Sequence, residues 1–253
     1  MRADEQLFED TDAEPGTRIS DVRFKQLRET GAGTVVTGTA HAGKVGAGDT
    51  VTIAPSGQTS PLRARVRSLH VQDRPAQSGA AGERCALALS GDFGKQDIAR
   101  GMWVVDPALA MPLTRFQGEL RVPAGQAAVK HLQTVHVHLG AEDIMGRVAL
   151  LDCAEALPGS PCVPGNPLRG QATALVEILL ERETLALRGD RFVLRDAGAQ
   201  RSVAGGRVLD IFPPTRHKRS AERLALLAAL REDDPLPALA ILAGQAVAGV
   251  DLG

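Results

Sequence analysis

Residues 31–49 read GAGTVVTGTAHAGKVGAGD, a run rich in valine and threonine that lies between glycine-containing turns. β-branched residues favour strands, and the Gly48-Asp49 pair is typical of a turn. Similar runs bounded by turn residues recur through the first part of the chain, at 34–39, 50–53, 62–71 and 84–89. Short strands at this spacing predict a closed antiparallel β-barrel, which we assign to residues 17–108.

A second β-rich block follows a proline-bearing joint between Pro107 and Pro112. Its runs lie at 115–122, 134–139, 147–151, 171–180 and 191–195. A second antiparallel barrel over residues 112–214 is the simplest interpretation, so the predicted fold class is mainly β.

The pattern changes after Pro213-Pro214, where leucines recur at intervals of three from Leu224. This period predicts helix rather than strand. We expect a short α-helical C-terminal segment over 215–253, with helices at 221–230 and 238–248.

The composition fits small barrels without a membrane span. Hydrophobic residues make up 43% of the chain but aromatics only 3%, so burial rests on valine, leucine, isoleucine and alanine. No run approaches the roughly eighteen apolar residues that a membrane span needs, and the acidic N-terminus is unlike a signal peptide. We therefore predict a cytoplasmic location with no membrane partner. Cys85, Cys153 and Cys162 form no Cys-x-x-Cys pair, and we expect them to fill cores.

Charge is unevenly distributed along the chain. Residues 1–16 hold six acids against one arginine, a net charge of −5, which leaves +4 on the remaining 237 residues. We interpret 1–16 as an acidic linker. Most of the basic residues are arginines, whose planar fork suits phosphate, so the composition permits an RNA partner.

One apparent nucleotide motif fails on inspection. Residues 38–44 fit the first seven positions of the phosphate loop G-x-x-x-x-G-K-[ST], but Val45 occupies the eighth and offers no hydroxyl for Mg²⁺. The following Gly46-Ala47-Gly48-Asp49 is turn chemistry, whereas a phosphate loop opens a helix. No Gly-x-Ser-x-Gly elbow occurs either, and no close carboxylate pair stands out as an acid–base couple. We predict no catalytic residue and no cofactor in this chain.

The 31–39 stretch, continued by 43–49, resembles the second domain of translational GTPases of the elongation factor Tu type. Further strings match in order: SLHVQ at 68–72, AGER at 81–84 and DIARG at 97–101. GDRFVLRD at 189–196 and GGRV at 205–208 resemble the third domain of the same factors. LHVQ at 69–72, the His136-x-His138 strand and the Pro213-Pro214-x-Arg216 exit are similar to the selenocysteine-specific branch.

The resemblance covers about residues 18–230 and implies barrel domains 2 and 3 of a selenocysteine-specific elongation factor. It implies a part that holds selenocysteyl-tRNA for delivery to the ribosome at UGA codons. In the family, a GTPase domain that binds GTP and Mg²⁺ lies upstream of these barrels, and winged-helix modules that bind a messenger RNA hairpin lie downstream. We expect both outside this chain, which then has the character of a fragment or truncated product, with 215–253 starting the winged-helix region.

The resemblance also implies site residues. Arg84, in the Ala-Gly-Glu-Arg string, corresponds to the family's arginine in the aminoacyl pocket, where a guanidinium favours an anionic selenolate over a neutral serine hydroxyl. His70 belongs to the same predicted pocket. Counting back without gaps from Gly31, Phe24 and Lys25 occupy positions where the family carries an Asp-Arg pair; Lys25 retains a charge, but Phe24 lacks the carboxylate. Asp21 and Arg23 are the alternative pair if a short insertion exists. An ordinary strand-start arginine paired with an acid is the alternative for Arg84.

Arg191, Arg195 and Arg201 lie around the last strands of the second barrel, where family members approach tRNA. They are candidate contacts to the tRNA backbone, and salt bridges with Asp190 or Asp196 are the alternative.

His136 and His138 share one strand face, which raises the question of a metal site. An i, i+2 pair supplies only two ligands and His131 is poorly placed, so we predict no metal and interpret the strand as solvated or RNA-facing. Three alternatives to the tRNA function stay open: a folded remnant without function, a general translational GTPase barrel module, and a β-barrel metalloprotein using these histidines.

Overall fold

The computed structural model describes residues 20–30, 33–55, 61–153, 168, 172–232 and 234–245. The side chains of 20–30, 33, 95, 153 and 245 are outside this description, as is the predicted linker 1–16. The chain divides into two compact units, Met1–Ala110 and Met111–Gly253.

Nine strands make up the described part of the first unit. They are β1 Ser20–Thr30, β2 Gly33–Ala42, β3 Lys44–Gly46, β4 Thr50–Ala54, β5 Leu62–Val71, β6 Arg74–Ala76, β7 Ser78–Ala80, β8 Arg84–Ser90 and β9 Trp103–Val105. The pairing order is β4-β9-β1-β2-β8-β5, and β4 also pairs with β5, so the strands close on themselves. β6 extends the sheet from β5, and β3 pairs with β7 in a separate ladder.

Alternating side chains fill the first barrel. In β5, Leu62, Ala64 and Val66 are buried while the residues between them are exposed. The period of two gives β5 one apolar face and one polar face, as expected for a barrel strand with water on its outside.

The failed phosphate-loop motif lies at a strand connection. Residues 38–44 run along β2 into β3, and Gly43 between them has φ +69°. Glycine adopts this left-handed conformation without steric cost, which permits a bend while the chain continues in one direction, since β2 pairs with β8 and β3 pairs with β7, both antiparallel. The motif opens a strand and not a helix, in agreement with the turn chemistry of its sequence.

The second unit contains a closed barrel of six strands. They are β10 Leu113–Arg121, β11 Gln133–Leu139, β12 Glu142–Cys153, β13 Thr173–Thr184, β14 Arg191–Arg195 and β15 Ser202–Asp210, in the order β10-β13-β12-β11-β14-β15. Phe116 and Phe192 meet edge to face in its core, with ring centroids 5.3 Å apart. Gly206 allows β15 to approach β10 closely, since a Cβ there would lie 2.2 Å from the carbonyl oxygen of Glu119.

Two helices follow the second barrel, α1 Ala221–Ala229 and α2 Leu236–Gln245. Ser220 caps α1 by accepting a hydrogen bond from Arg223 N at 3.2 Å, as a serine N-cap does. Leu227 of α1 is fully buried in a second, smaller core with Leu151 and Leu175 on the outside of the barrel, and Leu209 belongs to the same cluster. Neither helix has the length and apolar character needed to cross a membrane, within the ranges described.

The predicted fold class is confirmed: two consecutive β-barrels precede a short helical segment. The domain boundaries 17–108, 112–214 and 215–253 stay predictions. The β-rich runs missed six described strands, which are β1, β3, β6, β7, β9 and β15.

Candidate functional site

Arg84 opens β8 on the outer face of the first barrel. The next residue, Cys85, points into the core and is 1% exposed, so the alternation of the strand directs Arg84 outward, where it is exposed. Arg84 pairs with Thr39 of β2, and its carbonyl accepts a hydrogen bond from Gln72 N at 2.9 Å. Its guanidinium has no carboxylate partner among the residues that the structure describes. The backbone is therefore held while the positive charge faces outward.

The turn before Arg84 engages the adjacent acid. Glu83 Oε2 accepts a hydrogen bond from Ala80 N at 2.7 Å. Gly82 has φ +85°, a conformation that favours glycine, and its N–H donates to Ala40 O at 2.8 Å. The Ala-Gly-Glu-Arg string thus builds a tight turn that places Arg84 at the start of its strand.

His70 lies on the same outer face, one strand away from Arg84. It pairs with Ala86, two residues after Arg84 on β8, and both His70 and Arg84 are exposed. Diagonal neighbours on adjacent strands lie about 7–8 Å apart, within reach of long side chains. The structure therefore brings these two predicted pocket residues to one patch of surface.

Phe24 and Lys25 have side chains outside the described residues. Their backbone belongs to β1, where Phe24 pairs with Gly38 and the register shifts before Gln26. The roles of Phe24 and Lys25 in a pocket stay predictions.

Arg195 and Arg201 lie at the two ends of the connection between β14 and β15, whereas Arg191 begins β14 at the opposite end of that strand. Arg191 is exposed opposite Arg207, and Arg195 donates from Nη2 to Gln200 O at 3.4 Å. Asp196 Oδ1 accepts hydrogen bonds from the backbone N of Gln200 at 2.8 Å and of Arg201 at 3.1 Å. These backbone hydrogen bonds lower the pKa of Asp196.

The two alternatives for these arginines were contact with the tRNA backbone and salt bridges with Asp190 or Asp196, and the three arginines differ in how closely an acid approaches them. Asp196 stays charged beside Arg195 and Arg201, and both cations help to keep its pKa low. Arg191 has no ion pair with a described acid, so it carries the least compensated charge of the three.

His136 and His138 face outward on β11, between the buried Val135, Val137 and Leu139. Asp143 of β12 lies between the imidazoles: its Oδ1 is 2.8 Å from His136 Nδ1 and its Oδ2 is 3.9 Å from His138 Nε2. His131 is engaged elsewhere, with Nδ1 accepting from Leu150 N at 3.0 Å. In the described ranges, no group of three His, Cys, Asp or Glu side chains is arranged to hold a metal ion.

A buried carboxylate joins the second barrel to the segment that follows it, and the sequence reasoning missed it. Glu177 of β13 is 2% exposed on the outside of the barrel. Its Oε2 lies 2.7 Å from Lys218 Nζ and its Oε1 lies 3.4 Å from Arg115 Nη1. Arg115 also donates to the carbonyl oxygen of Pro213 at 2.8 Å. A lone glutamate inside the apolar run ALVEILL, 174–180, was the available signal, because a buried carboxylate requires partners.

A second polar contact, next to that of Glu177, attaches α1 to the barrel. Arg223 donates from Nε and Nη2 to Gln117 Oε1, at 2.8 and 2.6 Å, and pairs with Asp210. Gln117 is fully buried and pairs with Glu177 in the β10–β13 ladder. Glu177 and Gln117 thus form one row of buried polar groups that fixes the helical segment on the barrel.

An open cavity of about 650 Å³ lies next to this row, between the outer face of β12 and β13 and residues 215–220. Leu151 and Leu179 contribute to its apolar lining, and Arg216, Lys218 and Arg219 contribute to its basic edge. The cavity belongs to the second unit and is separate from the predicted aminoacyl pocket.

The chain matches two family models, one for each barrel. Residues 33–105 match the model described as elongation factor Tu domain 2, and residues 118–215 match the model described as selenocysteine-specific elongation factor, beta-barrel domain. The fold and these matches place the chain in the class of β-barrel modules of elongation factors of the Tu type. Within that class, the second barrel is similar to that of the selenocysteine-specific elongation factor family.

Curated relatives agree with this placement. The chain is 36% identical over 200 residues to the selenocysteine-specific elongation factor of Escherichia coli (strain K12), which covers 79% of this chain and 28% of that protein. It is 31% identical over 240 residues to the selenocysteine-specific elongation factor of Haemophilus influenzae, covering 87% and 36% respectively. For that of Desulfomicrobium baculatum the identity is 30% over 218 residues, covering 85% and 32%. The chain thus spans about a third of the length of these relatives.

Proposed function

We propose that this chain is the tRNA-binding part of a selenocysteine-specific elongation factor and that Arg84 recognises the selenolate of selenocysteyl-tRNA. The complete factor, with selenocysteyl-tRNA bound, delivers this tRNA to the ribosome at UGA codons in the cytoplasm. GTP hydrolysis and binding of the messenger RNA hairpin belong to family domains other than these two barrels. The observation that carries the proposal is the exposed guanidinium of Arg84, without a carboxylate partner among the described residues and beside His70.

The chemistry of selection is electrostatic. A selenol is more acidic than an alcohol, so selenocysteine is anionic at neutral pH while serine on the same tRNA is neutral. Two opposite charges 4 Å apart attract by about 1 kcal/mol in water and about 4 kcal/mol at an effective dielectric constant near 20. These energies correspond to about fivefold and several hundredfold discrimination before desolvation is deducted.

The position of Arg84 decides where in this range the discrimination falls. On the outer face of β8 the guanidinium is exposed to water, so the attraction is about 1 kcal/mol and the discrimination about fivefold. A surface that covers the patch around Arg84 and His70, whether another domain of the factor or the acceptor end of the tRNA, lowers the effective dielectric constant. We therefore expect strong selection only in the covered complex.

Arg191 is our leading candidate for contact with the tRNA backbone on the second barrel, because it is exposed and no described acid compensates its charge. Arg195 and Arg201 contribute less, because Asp196 stays charged between them. Phosphate contacts of this kind position a nucleic acid without reading its sequence.

A filter-binding comparison of selenocysteyl-tRNA with seryl-tRNA tests the proposal. We expect tighter binding of selenocysteyl-tRNA. Equal affinities contradict the pocket at Arg84 and favour a general barrel module of translational GTPases.

A further inference from the structure

The outer face of β5 carries three arginines at alternate positions, the last of which lies at a register irregularity between Val66 and Ser68. Arg63, Arg65 and Arg67 are all exposed, while the residues between them, Ala64 and Val66, are buried in the core. Alternate residues of a strand lie about 7 Å apart on one face. These three side chains, which we call the β5 arginine strip, therefore form a row of positive charges along half of the strand.

The strip has no counter-charge within the described residues, because none of its guanidinium groups forms an ion pair with an acid there. Four carboxylates of the same barrel are bonded instead to backbone N–H groups of turns and caps, at 2.7–2.8 Å; they belong to Asp49, Glu83, Asp97 and Asp106. Three adjacent like charges repel one another, so the strip does not serve to stabilise the barrel.

Three arginines of the second unit behave differently. Arg115, Arg223 and Arg231 each pair with a carboxylate, those of Glu177, Asp210 and Glu119. These ion pairs connect elements within the second unit. The contrast indicates that, within the part of the chain that the structure describes, the charges of the β5 arginine strip are available to a binding partner.

The surroundings of the strip favour an extended anion over a folded protein. In the strand ladders Arg65 lies between Thr50 and Ser90, which are small and neutral and leave the row open on both sides. A protein interface needs apolar anchors. The exposed large hydrophobic side chains of the described residues all belong to the second unit: Met111, Leu132, Val193, Phe212 and Leu236.

We propose that Arg63, Arg65 and Arg67 bind successive phosphates of an RNA backbone. The guanidinium fork matches phosphate geometry, and the placement of arginines at alternate positions of the strand suits a polymer with one charge per repeating unit. The strip begins beside the predicted aminoacyl pocket and extends away from it: Arg67 lies three residues before His70 on the same strand, roughly 10 Å for extended chain, and Arg63 lies seven residues before it, roughly 23 Å. It contacts phosphates and no bases, so it positions RNA without selecting a sequence.

Fluorescence anisotropy with the 253-residue chain tests the strip. The probes are a labelled oligo-uridylate, a deacylated tRNA and a poly-glutamate peptide, each over a series of salt concentrations. The triple variant R63Q/R65Q/R67Q is compared with wild type and with R63K/R65K/R67K, which keeps the charge. The control R100Q/R121Q/R147Q removes three exposed arginines elsewhere.

We expect the triple glutamine variant to lose about tenfold or more in affinity for RNA, and the slope of log K against log salt to fall by about 2, as for three phosphates of a single strand. The lysine variant retains most of the affinity, and the control changes it by less than about threefold. Loss on oligo-uridylate and tRNA together supports a general phosphate-binding strip, and loss on tRNA alone supports a strip that serves tRNA.

Several results overturn the inference: no RNA binding by wild type, an equal loss in the control variant, or loss of poly-glutamate binding with RNA binding unchanged. Thermal unfolding of each variant verifies that the barrel remains folded. Arg84→Gln leaves oligo-uridylate binding unchanged if the strip acts by itself, so failure of the aminoacyl pocket and failure of the strip give different results.

Discussion

Replacing Glu177 by glutamine removes the charge at the centre of the contact between the second barrel and the segment after Pro214. Glu177 is 2% exposed, whereas Lys218 and Arg115 are each 28% exposed. Breaking a fully buried ion pair costs about 3–5 kcal/mol, and an exposed pair contributes about 0–1 kcal/mol. Because the acid is buried but both cations regain water, we expect E177Q to lower the free energy of unfolding by about 2 kcal/mol.

Urea unfolding followed by far-UV circular dichroism measures this loss. Trp103 is the only tryptophan of the chain and lies in the first unit, so its fluorescence separates the transition of that unit from the transition of the second. We expect E177Q to shift the transition of the second unit. E181Q is the matched control: Glu181 lies on the same strand but is exposed, and we expect a change within about 0.5 kcal/mol.

A double-mutant cycle that combines E177Q with K218M measures the interaction energy between Glu177 and Lys218. We expect a coupling energy of about 1 kcal/mol or more between Glu177 and Lys218, since contacting charged residues are not additive. An E177Q protein as stable as wild type, or a cycle with no coupling, refutes the claim that this carboxylate fixes the helical segment.

Three further predictions concern buried groups. Leu227→Ala deletes a fully buried side chain of α1 and should cost about 2–5 kcal/mol in urea unfolding, whereas Leu236→Ala, at a position 68% exposed, should be close to neutral. Burial raises the pKa of Glu142 above its ordinary value of 4.5, so between these two pKa values the folded state holds a proton that the unfolded state has released. The free energy of unfolding should therefore fall as pH rises from 4.5 through the folded-state pKa. E142Q should remove this dependence on pH. Burial, followed by the nearby Glu83 charge, raises the pKa of the Cys85 thiol, so iodoacetamide at mildly alkaline pH should label the Cys85 peptide only after unfolding, as mass spectrometry of the digest would record.

The strands that the sequence revealed are those with clear local alternation. The run 62–71 coincides with β5 and the run 191–195 with β14, because each has apolar residues on one face only. β1 has the sequence SDVRFKQLRET, in which frequent polar residues leave no clear alternation of apolar and polar positions. Its strand conformation is stabilised by pairing with β2 and β9. β9 has only three residues, too few for a periodic signal.

The candidate site was predictable only in part. A short string, Ala-Gly-Glu-Arg, builds its own turn, so the outward position of Arg84 follows from local structure. The partners of Glu177 are 41 and 62 residues away in sequence, at Lys218 and Arg115. Only the closure of the barrel and the return of the chain after Pro214 bring them together, and no local pattern encodes that.

The most direct test of the central claim measures how the ratio of affinities for selenocysteyl-tRNA and seryl-tRNA depends on Arg84. We expect wild type to prefer selenocysteyl-tRNA by at least about fivefold, R84Q to lose this preference, and R84K to keep part of it. R74Q, which removes an exposed arginine from the same barrel, should leave the ratio unchanged. A ratio in R84Q equal to that of wild type would contradict the account.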